Sequence, residues 1–163
     1  MSRALFIGRF QPFHNGHLAV VKNILKQYDE IIIAMGSSNE KYTKENPLSY
    51  NERKAMIKKT LDSNNIRNYK IIPSPDLYND VLWVNDIKKR AKNFDVIYSG
   101  NPWTIRCFRK HKCKVKKIKL IKGISSTKIR EMMVKNKDWK RLVPKEIWRH
   151  INEINGIQRI KGL

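Results

Sequence analysis

Ala4-Leu5-Phe6-Ile7-Gly8-Arg9-Phe10-Gln11-Pro12-Phe13-His14-Asn15-Gly16-His17 decides the fold: an apolar run breaks, and a helix bearing two histidines begins. Ala4 to Ile7 reads as a buried strand, Gly8 and Pro12 interrupt it, and Leu18, Val21, Ile24 and Leu25 recur at helical spacing. A strand that passes so quickly into a helix opens a β-α unit. His14 and His17 share one helix face at its first turn, where unpaired backbone N–H groups and the helix dipole favour an anion. With Arg9 beside them, two imidazoles at a helix start suit a polyphosphate.

Outward from this corner, strand-like runs recur at residues 4–8, 30–35, 69–73, 95–99 and 115–121. Helical patterns lie between them. Ser49-Tyr50-Asn51-Glu52 has the form of a capping box opening a helix that carries Ala55, Met56, Ile57 and Leu61. Further helices are expected over 81–91, 103–110 and 126–134, and a last one with Pro144 at its first helical position, running to about residue 154. The alternation implies an α/β fold: a Rossmann-like, doubly wound, parallel five-stranded sheet with helices on both faces and a small C-terminal helical part. Ligands of such sheets bind beyond the carboxyl ends of the strands, where strand order switches, and the loop after the first strand lies there. At 163 residues the chain is expected to be one domain, with a core of 1–122 and the remaining helices in 123–163. The polar stretch from Gly36 to Pro47 is the best candidate for a mobile loop.

The net charge of +21, from 35 Lys and Arg against 14 Asp and Glu, implies anionic partners without naming them. Its densest part, Arg106 to Lys122, holds nine basic residues and no acid, and reads first as a solvated strand edge and second as a ligand-steering surface. Cys107 and Cys113 have no second pair at zinc spacing, so free thiols in a reducing compartment are expected. No uncharged apolar run approaches the ~18–20 residues of a membrane span, and no leader precedes the first motif; a soluble, cytoplasmic protein is expected.

Neither G-x-G-x-x-G after the first strand nor G-x-x-x-x-G-K-[ST] occurs, which argues against a dehydrogenase or a Walker-type ATPase. In their place stands H-x-G-H, whose Gly16 would let the helix start approach a ligand closely. Ile124-Ser125-Ser126-Thr127-Lys128-Ile129-Arg130 opens a second helix with hydroxyls to cap it and Arg130 one turn inside, a second anion site.

H-x-G-H paired with this late I-S-S-T-x-x-R resembles the nucleotidylyltransferase superfamily. The fuller string G-R-F-Q-P-F-H-x-G-H is similar to the archaeal-type nicotinamide-nucleotide adenylyltransferases, as are Tyr98-Ser99-Gly100-Asn101-Pro102, Leu82-Trp83-Val84, Asp138-Trp139 and Glu153-Ile154-Asn155-Gly156-Ile157. Pantetheine-phosphate and flavin adenylyltransferases usually carry G-T-F-D where this chain has Gly8-Arg9-Phe10-Gln11. The resemblance implies that AMP passes from ATP to nicotinamide mononucleotide, giving NAD and pyrophosphate, with Mg²⁺ carried on the ATP phosphates. It assigns His14, His17, Arg9 and Arg130 to catalysis. It puts Gly8, Arg9, Phe10, His14, Gly16, His17, Ile124, Ser125, Thr127 and Arg130 on ATP, and Phe10, Gln11, Asp80, Trp83, Gly100 and Asn101 on the pyridine nucleotide, with Trp83 stacked on its ring. It also implies a homo-oligomer, a hexamer. Asp80 stands where relatives often have Asn, and an acid there would disfavour the carboxylate of nicotinate mononucleotide. The other tryptophans, Trp103, Trp139 and Trp148, and the histidines His111 and His150 read as structural. The alternatives are adenylyl transfer to phosphopantetheine, FMN or nicotinate mononucleotide and, from another class, a basic nucleic-acid-binding module. Basic residues are not interleaved with aromatics as a stacking platform requires, so neither nucleic acid nor membrane is an expected partner.

Overall fold

A computed structural model describes every residue, Met1–Leu163. Five strands, β1 (Arg3–Gly8), β2 (Glu30–Gly36), β3 (Tyr69–Ser74), β4 (Val96–Ser99) and β5 (Val115–Lys117), pair in parallel in the order β3-β2-β1-β4-β5. The chain begins at the centre of the sheet, moves out to β3 and returns on the far side of β1. The order therefore reverses between β1 and β4, the switch point of the expected doubly wound sheet. Seven helices join and follow the strands: α1 (Asn15–Ile24), α2 (Tyr50–Ser63), α3 (Asp80–Ala91), α4 (Pro102–Lys110), α5 (Ser126–Val134), α6 (Lys145–Glu153) and α7 (Gly156–Gly162). None is long and apolar enough to cross a membrane.

The chain forms two compact units. One comprises Met1–Arg9, Val20–Asn39 and Asn68–Lys119; the other comprises Phe10–Ala19, Glu40–Arg67 and Leu120–Leu163. In the first, Leu5, Ile7, Ile32, Ala34 and Ile97 put one sheet face against Trp83, Val84, Ile87 and Ala91 of α3 and Cys107 and Phe108 of α4. The alternate residues Ala4, Phe6, Ile31, Ile33 and Met35 are buried as well, so the central strands read as continuous apolar runs rather than as alternating ones.

In the second unit α2 packs on α6, α5 on α7 and α6 on α7. Ser49 caps α2, accepting from Glu52 N at 3.3 Å while Glu52 Oε2 accepts from Ser49 N at 2.8 Å, the expected reciprocal box. The same carboxylate receives Arg159 Nη1 at 2.9 Å, and that guanidinium also lies 4.5 Å over the Tyr42 ring and donates to Pro47 O. The polar stretch after β2 is thus tied to the C-terminal helix at Tyr42 and Pro47.

Three expected boundaries are corrected. Strand β5 stops at Lys117 rather than 121, because its single neighbour β4 ends at Ser99, which is in register with Lys117, and no ladder partner exists further on. Pro144 is the N-cap of α6 rather than its first helical residue: its ψ of 151° is extended, and its carbonyl accepts from Ile147 N. The chain does not end its last helix near 154. Asn155, left-handed at φ 52°, breaks the path, and α7 follows.

Glu52 serves both the cap and Arg159, whereas Ser49 serves the cap alone. Ser49→Ala should cost about 1 kcal/mol of stability, and Glu52→Ala about 2 kcal/mol, since it also strips a partly buried ion pair. Urea-unfolding midpoints check this, and equal shifts for the two variants would show that the Arg159 contact adds nothing.

Candidate active site

At the carboxyl end of β1 the backbone must turn sharply, and Phe10 takes the turn at φ 53°, a left-handed conformation that costs a residue with a Cβ about 1 kcal/mol or more. Its ring is buried, 5.7 Å from Phe13 and 4.9 Å from His17 between centroids. Gln11 is also buried, with both ends of its amide engaged: Nε2 donates to Leu48 O at 2.8 Å and Oε1 accepts from Leu48 N at 3.1 Å. A side chain expected on the pyridine nucleotide is therefore committed to holding the segment before α2.

His14 and His17 lie with ring centroids 3.6 Å apart and planes 18° from parallel. His14 N donates to His17 Nδ1 at 3.2 Å, and His17 N donates to His14 Nδ1 at 3.3 Å. Each Nδ1 is an acceptor, so each neutral ring carries its proton on Nε2. Burial pushes the His14 imidazole down to about 4, and burial together with the neighbouring His14 holds His17 well below its ordinary value. Without ligand the pair is neutral at pH 7, offering two Nε2–H donors at a helix start. A Cβ at Gly16 would stand 3.0 Å from the His14 ring, which would have to shift by a few tenths of an ångström to admit it.

Helix α5 meets the same loop. Gly123, at φ 86°, turns the chain into it, and Ser125 caps it by accepting from Lys128 N at 3.1 Å. Ser126 Oγ donates to Pro12 O at 2.9 Å, and Arg130 Nη1 donates to Gln11 O at 2.8 Å. Thr127 and Arg130 line a cavity of about 410 Å³ that runs along α5 to Glu131, Val134 and Lys135 and is closed by Lys44 and by Ile160, Lys161 and Leu163 at the end of α7, a setting of net positive charge. Ile124 is half-buried just ahead of the cap.

All of these belong to the second unit, together with Phe10 and Gln11; Gly8, Arg9, Asp80, Trp83, Gly100 and Asn101 belong to the first. Arg9 is exposed at the end of β1, its Cγ 3.4 Å from where a Cβ on Gly36 would stand. Asn101 caps α4 through Oδ1, which accepts from Trp103 N and Thr104 N, and Gly100 precedes it. Trp83 is buried, its Nε1 donating to Ser74 Oγ at 2.9 Å. The carboxyl ends of β3 and β4 also bring in a residue read as structural: Trp103 packs on Trp83 and donates to Asp80 Oδ1 at 3.3 Å. The signal that could have found it is its place two residues past Asn101, at a helix start beyond a strand's carboxyl end. The contact of Ser126 has no such signal, because a hydroxyl in the first turn of a helix gives no sign of a carbonyl far away in sequence.

Comparison with known proteins follows the same lines. A cytidylyltransferase-like family model matches residues 5–132. A nicotinamide-nucleotide adenylyltransferase of Thermoplasma volcanium is 41% identical over 163 residues, 99% of this chain and 92% of its own. One of Methanolobus tindarius is 39% identical over 100% of this chain and 95% of its own. A bifunctional NMN adenylyltransferase/ADP ribose pyrophosphatase of Francisella tularensis, solved with AMP and a manganese ion, shares the fold at a TM-score of 0.81 and 24% identity. The match covers 99% of this chain and 52% of that one, so this chain spans about half the length of the solved protein.

The histidine pair carries a stability signature. His14 binds its proton less tightly folded than unfolded, so its contribution is complete above pH 6.5 and is lost as pH falls from 6.5 towards about 4. Acidification from pH 7 to pH 4.5 should therefore cost the wild type roughly 2 kcal/mol more than it costs His14→Gln. Denaturant titrations at the two pH values test this; parallel losses in both proteins would refute the low affinity of His14 for its proton.

Proposed function

The chain belongs to the cytidylyltransferase-like family and, within it, to the archaeal nicotinamide-nucleotide adenylyltransferases; from that premise we propose that it joins the adenylyl group of ATP to nicotinamide mononucleotide. An oxygen of the acceptor's 5′-phosphate attacks the ATP α-phosphorus in line. The bond from the α-phosphorus to the bridging oxygen breaks, pyrophosphate leaves, and NAD is formed. The acceptor arrives already ionised, so the protein needs no nucleophile of its own. Its work is positioning and the stabilisation of charge on the reacting phosphates.

One observation carries this reading: the stacked His14 and His17 at the start of α1, each with its proton on Nε2. Both rings hold ATP phosphates and gain charge as the α-phosphate is attacked. Arg9 and Arg130 add fixed cations, Gly8, Phe10 and Gly16 shape the turn, and Ile124, Ser125 and Thr127 present the second helix start to the triphosphate. Asp80, Trp83, Gly100 and Asn101 serve the pyridine nucleotide, with Phe10 and Gln11 holding the loop. The chain has no group of three or more His, Cys, Asp or Glu that could ligate a metal by itself. A divalent cation, Mg²⁺, is carried by the ATP phosphates in this reading, where it neutralises charge. A homo-oligomer, a hexamer, working in the cytoplasm completes the reading by resemblance.

Incubation with ATP, Mg²⁺ and nicotinamide mononucleotide should yield NAD and pyrophosphate in equal amounts, and replacement of the acceptor by phosphopantetheine or FMN should yield no dinucleotide. His17→Ala should lower kcat by about 100-fold, as the loss of one charge-stabilising donor does. An unchanged kcat would remove His17 from the mechanism.

A further inference from the structure

At the amino edge of the sheet, segments of the first unit line a cavity of about 800 Å³. Lys88 and Lys92 come from the end of α3, Lys112 from the turn after α4, and Lys114 from the residue before β5. The six residues of β1, about 20 Å of strand, separate this edge, where Arg3 stands, from Gly8 at the carboxyl end. One acid lines the cavity, and it is engaged: Asp95 Oδ2 accepts from Arg3 N at 2.7 Å, while Arg3 Nε lies 3.0 Å from Glu30. The four lysines meet no carboxylate.

Two of these lysines occupy backbone that suits glycine. Lys92 has φ 61° and ψ −119°, and Lys112 has φ 56°; both are conformations in which a Cβ is strained. The helix dipoles do not require them. Lys88, Lys89 and Arg90 already stand in the last turn of α3, and Arg109 and Lys110 in the last turn of α4. The fold thus carries two further cations at strained positions on the wall of one cavity.

We propose that this cavity is a second anion site, at the opposite end of β1 from Gly8, which takes a compact ligand of two or more linked phosphates on Lys88, Lys92, Lys112 and Lys114. It stands apart from the reaction proposed above and does not depend on it. An anion of single charge would leave most of the four ammonium groups unbalanced, whereas linked phosphates present several charges within a few ångströms. The lysines line one concavity rather than a stripe, which fits a small polyanion better than a nucleic-acid backbone.

Calorimetric titration of the full chain with inorganic tripolyphosphate tests this. The wild-type isotherm should contain a component that Lys92→Gly/Lys112→Gly weakens about tenfold, the scale of two exposed charge pairs, and that His17→Ala leaves unchanged. Lys114→Gln, at a position whose backbone is not left-handed, should weaken the same component about threefold. Glycine suits both left-handed positions, so the urea-unfolding midpoint of the double variant should equal or exceed that of the wild type, which separates a lost cation from a lost fold. Orthophosphate should bind this component at least tenfold more weakly. Titration with ATP identifies the source of the phosphates: tighter binding than tripolyphosphate supports the site with a nucleotide as its ligand, and equal or weaker binding supports it with an inorganic chain. The proposal is overturned if every component of the isotherm survives in the double variant, if none survives in His17→Ala, or if orthophosphate binds as tightly as tripolyphosphate. A single-stranded oligonucleotide that binds more tightly than tripolyphosphate, and loses affinity in the same variants, would give the surface to nucleic acid and overturn it too.

Discussion

The loop from Phe10 to His14 is the constraint on which the second unit depends. Within five residues it is grasped from three directions: Leu48 pairs with both ends of the Gln11 amide, Arg130 holds the Gln11 carbonyl, and Ser126 holds the Pro12 carbonyl. Each contact joins segments more than thirty residues apart, and each satisfies a polar group that burial would otherwise penalise. The left-handed backbone at Phe10 persists because its surroundings over-determine it. Arg130 therefore has two tasks. It fixes the loop that presents the histidines, and it lines the cavity that Lys44, Lys135 and Lys161 also line.

Burial gives the histidines their character. A pair of exposed imidazoles would titrate near pH 6.5 and repel one another when charged; stacked and buried, they hold their protons less tightly and stay neutral at pH 7. The reciprocal N–H to Nδ1 bonds then decide which nitrogen faces outward, and Gly16 keeps a Cβ from crowding the His14 ring. Neutral donors are less costly to desolvate than cations, so the protein can hold this corner ready without a counterion.

The large positive charge is spread over surfaces with different physics. At the β5 edge, Lys116 sits 5.5 Å over the rings of both Tyr28 and Tyr98 and donates to Gln27, so this strand carries charge where it has no neighbour to pair with. Charged side chains on an edge strand discourage pairing with another chain. The Tyr98 phenol is pushed up by burial, and the nearby Lys116 ammonium opposes that shift. The cavity at Trp83 and Trp103, by contrast, is lined by two acids and two indoles together with Leu77, Tyr78 and Asn79.

What the sequence determined by itself was everything governed by near neighbours along the chain: the strand runs and their parallel α/β alternation, the Ser49–Glu52 box, the Ser126–Val134 helix and the two helix starts that invite phosphate. These depend on periodicity, capping and turn residues, which act over three or four positions. Tertiary structure alone decided that Gln11 would spend its amide on Leu48, that β5 would end where β4 ends, and that Trp103 rather than Trp83 would face solvent. Each of these follows from groups brought together from distant segments. An indole reads the same in one dimension whether another ring covers it or it covers another, and only packing tells the two apart.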